Sequence, residues 1–239
     1  ELLEAKARGI PTMTRGQLLA EFARAKRLIS VAGSHGRTTT SGMATQLLVH
    51  AGWDPTAVVG GMMRALGGNA RCGRGRYLVA ETDESDGSFL LLNPEVAIVT
   101  NIDREHLNYY QSFNGLIAAF AKFIRQLDAQ GTLIRCHDDP LLRQLPDATR
   151  QFTYGLDPEA DVTVDQMSFQ EHGAVFRPLF RGRRLGTFEL QVPGRVNVVN
   201  ALAVTALGLT LDLSPITIRE ALAAFRGTER RFQVSRLPR

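Results

Sequence analysis

Residues 27–48, RLISVAGSHGRTTTSGMATQLL, pass from a short apolar run (Leu28, Ile29, Val31) through two glycines (Gly33, Gly36) into a stretch with helical apolar spacing. The run has the length of a buried strand, and the stretch from about Thr38 through Met43, Leu47 and Leu48 to just before Gly52 has that of a helix. Strand, glycine loop and helix in succession form the opening unit of an α/β fold. Glycines at that junction let the backbone fold around an anion, whose charge the exposed N–H groups and the helix dipole attract. The loop Gly33-Ser34-His35-Gly36-Arg37-Thr38-Thr39-Thr40 therefore reads as a phosphate loop, with the Thr38 hydroxyl placed for Mg²⁺. It departs from the general pattern at Val31, where a glycine is usual, and at Arg37, where lysine is usual.

The alternation continues on both sides of this unit. Upstream, Thr14 followed three residues later by Gln17 and then by Leu18, Leu19 and Phe22 predicts a capped helix ending near Arg24. Downstream come strands at YLVAE (77–81), VAIVTN (96–101) and TLIRC (132–136), with a helix from about Asn114 to Leu127. Apolar strands separated by helices imply a mainly parallel sheet covered on both faces. From Thr149 onward FTYG, DVTVDQMSF, GAVFRPLF and RLGTFELQV alternate apolar with polar residues, and Gly182 marks a hairpin turn. A small antiparallel sheet is expected there, followed by helices over Asn197–Leu209 and from the N-cap Ser214 to Phe225.

With 239 residues, 44% of them hydrophobic, the chain is long enough for a large buried core, which excludes disorder. No run approaches the roughly 20 apolar residues of a membrane helix, and the first residues lack the apolar core of a signal peptide. Cys72 and Cys136 are not in a ligand spacing and suit a reducing compartment, so a cytoplasmic protein without a membrane partner is expected. The formal charge of +4 gathers in residues 176–186 and 226–239 without a recognition-helix or stacking pattern. These arginines read as a solvated face with one or two turned toward phosphates, and no nucleic-acid partner is expected.

Two further clusters follow strand ends, where ligands sit in open parallel sheets. Glu81, Asp83, Glu84 and Asp86 lie in VAETDESDGSF, and Asn101, Asp103, Glu105 and His106 in VAIVTNIDREHLNYY. Taken singly, each cluster has a plainer counterpart: a glycine turn that binds nothing, a solvated acidic turn, a surface histidine. Taken together and in this order they resemble the Mur ligases, whose central domain carries an AGTxGKT-type loop, a strand-end glutamate and a TNxxxDH-type histidine motif. Residues 10–22 and 80–110 are similar to the branch that adds L-alanine to UDP-N-acetylmuramate, and PGRVNVVNALA (193–203) and FRGTERRFQ (225–233) match two further family segments.

The resemblance implies an ATP-dependent carbon–nitrogen ligase of peptidoglycan synthesis that activates a carboxylate as an acyl phosphate. It implies ATP on Gly33, Ser34, His35, Gly36, Arg37, Thr38 and Thr39, with Asn197 and Asn200 meeting the nucleotide and Arg231 directed at the phosphates. It places Mg²⁺ on Thr38, Glu81 and His106, with Glu84 as the reserve glutamate, and makes Arg37, Glu81 and His106 the catalytic set. Lys122, where some relatives carry a carboxylated lysine, is left out. The domain reading is 1–26 as the end of an N-terminal UDP-binding domain or a connecting helix, 27–232 as the central ATP-binding domain, and 233–239 as the start of a linker. On this reading the partners are UDP-N-acetylmuramate, L-alanine and the missing N- and C-terminal domains of the same chain, and the fragment alone is inactive. Arg37 and Val196, where the family has lysine and histidine, leave open a nucleotide-binding module without ligase activity. Another Mur-type ligase, for murein tripeptide recycling or folylpolyglutamate synthesis, is the other alternative.

Overall fold

The computed structural model describes residues 1–63, 67–105 and 107–228. Two short helices come first, α1 (Leu2–Ala7) and α2 (Arg15–Arg24). The expected capping box starts α2: Thr14 Oγ1 accepts from the Gln17 amide at 3.2 Å and Gln17 Oε1 from the Thr14 amide at 2.8 Å. Then β1 (Arg27–Ala32) and α3 (Arg37–His50) flank the glycine loop as expected. They are followed by β2 (Thr56–Met63), β3 (Gly68–Arg71), β4 (Tyr77–Glu81), a 3₁₀ turn at Ser88–Leu91, β5 (Val96–Val99), α4 (Leu107–Tyr110), α5 (Phe113–Arg125) and β6 (Thr132–Cys136). The chain continues through α6 (Pro140–Arg143), β7 (Arg150–Tyr154), β8 (Val162–Gln170), β9 (Gly173–Phe180), β10 (Arg183–Arg184), β11 (Phe188–Leu190), α7 (Arg195–Thr210) and α8 (Pro215–Ala223).

The eleven strands of the described residues join one sheet in the order β10-β9-β8-β7-β6-β5-β1-β4-β2-β3, with β11 also on β9. The strands from β2 to β8 along this order pair in parallel. Successive residues of a strand face opposite sides, and both sides are covered. Leu28, Leu78 and Ala80 pack with Leu19 of α2, whereas Ile29, Val31 and Val79 join Met43, Leu47 and Leu48 of α3 in the main core. Burial on both faces is why β1, β4, β5 and β6 read as mostly apolar runs, with Ser30 in β1 and Thr132 and Arg135 in β6 as buried polar exceptions.

The antiparallel part differs from expectation in its attachment. FTYG is not one of its strands: β7 runs parallel to β6 over five residue pairs, from Thr132↔Arg150 to Cys136↔Tyr154. The arm of β8, β9, β10 and β11 is antiparallel, but it extends the main sheet instead of forming a second one, through the single pair Tyr154↔Val162. The hairpin turn falls where Gly182 placed it, with Arg181 and Gly182 both at positive φ between Phe180 and its partner Arg183.

Candidate functional site

The sheet order puts β1 between β4 and β5, so the chain reverses direction across the sheet beside β1. A crevice opens at such a point beyond the carboxyl ends of the strands, and the loop after β1 lies in it. Gly33 (φ 127°) and Gly36 (φ 81°) both occupy the left-handed half of backbone space. A Cβ on Gly36 would come 2.8 Å from Asn200 Oδ1, so the loop and the first turns of α7 pack against each other without room for a side chain.

The loop is braced by the segment after β5. The Ser34 amide donates to Asn101 O at 3.1 Å and the His35 amide to Asn101 Oδ1 at 2.8 Å. Thr100 Oγ1 and Asn101 Nδ2 donate to His35 O at 2.6 and 3.1 Å, and the Asp103 amide donates to Ser34 Oγ at 2.9 Å. The His35 ring sits 3.1 Å from Asp103 Oδ2; that hydrogen bond and the Arg104 amide hold the Asp103 carboxyl below the usual range. With the amides of Ser34 and His35 occupied, the N–H groups left for an anion are those of the following residues, at the start of α3.

Thr38, buried at the head of α3, donates its hydroxyl to Glu81 Oε1 at 3.0 Å. The other carboxylate oxygen of Glu81 accepts the Gly60 amide of β2 at 2.6 Å. Two of the three expected metal ligands therefore meet at the end of β4. Hydroxyl and carboxylate oxygens beside this loop are a donor set that suits a hard cation such as Mg²⁺. Ser34, His35, Gly36, Arg37, Thr38, Thr39, Glu81 and Glu105 line a cleft of about 340 Å³ here.

Arg37 opens α3 and turns toward the acidic turn after β4. Its Nη1 donates to Thr82 O and Asp83 Oδ1, each at 3.2 Å, and to Glu84 Oε2; the Glu84 side chain is fully buried. Burial raises the Asp83 carboxyl, but the Ser85 amide and hydroxyl and the Arg37 charge outweigh it and leave the group below its ordinary value. Glu84 thus lies behind Arg37, while Glu81 faces the cleft.

Beside the phosphate loop a larger cleft, about 600 Å³, is lined among others by His35, Asn101, Asp138, Asp139, Tyr154, Arg195, Val196 and Asn200. Asn200 reaches it directly. Asn197 is buried and donates to Pro193 O at 2.7 Å, tying down the approach to α7. Val196 is exposed on the rim. Cys136 also lines this cleft; burial pushes its thiol up to about 11, which leaves it protonated and unsuited to nucleophilic work at neutral pH. His106 and Arg231 lie outside the described residues.

Sequence reasoning missed Gly60, whose amide holds Glu81, because β2 was not read as a strand. It also missed Asp138 and Asp139. Their signal was available: an acidic pair directly after a strong strand, as at Glu81.

The family description "Mur ligase middle domain" matches residues 31–208 of this chain. The UDP-N-acetylmuramate–L-alanine ligase of Anaeromyxobacter dehalogenans is 47% identical over 236 residues, covering 98% of this chain and 52% of that protein. The enzyme of the same name from Solibacter usitatus is 47% identical over 237 residues, covering 98% and 50%. Among solved structures, the UDP-N-acetylmuramate–alanine ligase of Thermotoga maritima superposes with a TM-score of 0.88 at 31% identity, covering 98% of this chain and 53% of that one. The chain spans about half the length of the curated relatives it matches. Among the described residues no helix is long and apolar enough to cross a membrane.

Proposed function

This chain belongs to the Mur ligase family, and from that premise we propose that it is the ATP-binding part of the ligase that joins L-alanine to UDP-N-acetylmuramate. The observation that carries the reading is the meeting of Thr38 and Glu81 beside a glycine-bent phosphate loop, at the strand ends beside β1.

An amide forms from a carboxylate only if one oxygen becomes a leaving group. In the proposed reaction the γ-phosphoryl of ATP passes to the muramate carboxylate oxygen, releasing ADP. The amine of L-alanine then attacks the acyl carbon, the carbon–oxygen bond breaks, and phosphate leaves with the amine losing a proton. The N–H groups at the start of α3 and the Arg37 charge would hold the phosphates, and Thr38 and Glu81 would hold Mg²⁺. Mg²⁺, when bound, supplies neutralisation of the phosphate charge. Asn200 and the 600 Å³ cleft would take the nucleoside. The work of these groups is positioning and electrostatic stabilisation, which suffices for phosphoryl transfer without a protein nucleophile.

The test on this chain is calorimetric binding of ADP and AMP with and without Mg²⁺. ADP should bind at least about tenfold more tightly than AMP, as one charge-assisted phosphate contact allows, and the preference should depend on Mg²⁺. Equal affinities would remove the reading. With its flanking coding sequence restored, the protein should release phosphate from ATP only when both UDP-N-acetylmuramate and L-alanine are present.

A further inference from the structure

The contact between Arg37 and the acidic turn does more than fill space. The arginine side chain is only 16% exposed, and among the described residues the hydrogen bonds of its guanidinium all use Nη1, toward Thr82 O, Asp83 Oδ1 and Glu84 Oε2. The opposite edge of the fork points elsewhere. Nε lies 3.9 Å from Glu81 Oε1, and both Arg37 and Glu81 line the phosphate cleft.

We propose that Glu84 is a positioning residue for Arg37: it anchors the Nη1 edge on the acidic turn so that Nε and Nη2 face the cleft and take the terminal phosphate oxygens of the nucleotide. The inference rests on the nucleotide-binding reading above and goes beyond it by assigning a role to a glutamate outside the cleft. Its physical basis is the difference between the two basic side chains. A lysine ends in one nitrogen, a point charge whose three donors rotate freely and fix no direction toward either the acidic turn or the phosphate. A guanidinium has two edges in one rigid plane and serves both at once. Glu84 is suited to the anchor because a fully buried carboxylate is costly without a cationic partner, so the pair stays together whether or not a phosphate is present. Tyr110 fixes the turn from behind by donating its hydroxyl to the Glu84 carbonyl, and burial together with the Glu84 charge keeps that phenol protonated. On this account arginine in the loop is an adapted part of the site, not a sign of decay.

The test compares ADP with AMP binding to the chain and to Glu84→Gln, Arg37→Lys and the double variant. Glu84→Gln keeps the volume and removes the anchoring charge. It should weaken ADP binding by about tenfold while leaving AMP within about twofold, since a charge-assisted bidentate contact is lost and nothing else is. In the Arg37→Lys background the same substitution should have no further effect, because the two residues act as one unit. Asp83→Asn, on a more exposed neighbour in the same anchor, should act in the same direction with a smaller loss and serves if Glu84→Gln does not fold. Tighter ADP binding in Glu84→Gln would mean that Glu84 competes with the nucleotide for Arg37, and would overturn the proposal. So would a parallel loss of ADP and AMP affinity, or full additivity with Arg37→Lys. If the unaltered chain does not distinguish ADP from AMP, the nucleotide-binding reading itself fails and this inference with it; if it does and Glu84→Gln does not change the ratio, only the inference fails.

Discussion

Replacing Gly33 by alanine puts two separate costs on one position. The backbone there has φ 127°, which a residue with a Cβ occupies at about 1–3 kcal/mol. The new methyl would also lie 2.9 Å from Asn101 O, 3.0 Å from Asn101 N, and well inside contact distance of Thr100 Oγ1. That hydroxyl donates to His35 O at 2.6 Å and approaches Ala32 O at 3.2 Å, so displacing it costs about 1 kcal/mol more. The sum is about 2–4 kcal/mol, which in a chain of this size lowers the melting temperature by roughly 5–15 °C. Urea unfolding followed by circular dichroism measures the loss, and the same substitution in a Thr100→Ala background separates the parts. There the clash with the hydroxyl disappears and the penalty should shrink by about 1 kcal/mol, leaving the backbone term and the contacts with the Asn101 backbone. A cost below about 0.5 kcal/mol in the parent, the level of an ordinary surface change, refutes the reasoning. An equal cost in both backgrounds refutes the part assigned to the hydroxyl.

Other sites give tests of the same kind. Glu81→Ala should abolish the Mg²⁺ dependence of ADP binding while leaving AMP binding in place, read by calorimetry at two Mg²⁺ concentrations; an unchanged dependence would take Glu81 out of the metal set. Arg135→Met should destabilise the chain by about 1–3 kcal/mol, because the Leu142 and Leu145 carbonyls each lose a buried donor now at 3.1 Å; urea titration decides. The depressed carboxyl of Asp161, held below its ordinary value against burial by the Thr153 amide and Arg181, contributes stability that is present above its unfolded pKa of about 3.9 and lost as pH falls through the lower folded value. Asp161→Asn should therefore narrow the difference in unfolding midpoint between pH 6 and pH 3, and an unchanged difference would place the acid sensitivity elsewhere. Iodoacetamide at neutral pH should label exposed Cys72 and spare buried Cys136, checked by mass spectrometry.

What could be read from the sequence, and what could not, divides along physical lines. The core strands were legible because burial on both faces leaves an apolar run that needs no partner to be recognised, as in YLVA and VAIV. The strands β2 and β3 at one end of the sheet were not, since TAVVGGMM and GNAR hold three glycines, are partly exposed, and shift register between Val58 and Met63. Strand β7 was assigned to the wrong neighbour because its half-buried residues have the same two-residue period whether the partner runs parallel or antiparallel. At the site, the strand-end rule put an acidic cluster beside the loop, and the family resemblance singled out Glu81 from it as the partner of Thr38. The pairing of Arg37 with Glu84, 47 positions apart, followed from neither: several carboxylates lie near that strand end, and composition does not say which one turns inward.

The narrow junction between β7 and β8 bears on how the chain acquires its shape. Strands β8 and β9 are joined by a short turn and pair along most of their length, from Val162↔Phe180 to Gln170↔Gly173, so their contacts are close in sequence. A hairpin of this kind closes in about 1–10 μs. The parallel ladder is the reverse case, because β1 must find β4 and β5 across some 50 to 70 intervening residues, and closing such loops precedes any reward. Within the sheet one residue pair links the two parts, and although the arm also packs against α7 and α8, its hairpin pairing does not require the body to form first. Pulsed hydrogen exchange during refolding should accordingly find the amides of residues 162–180 protected before those of residues 27–32.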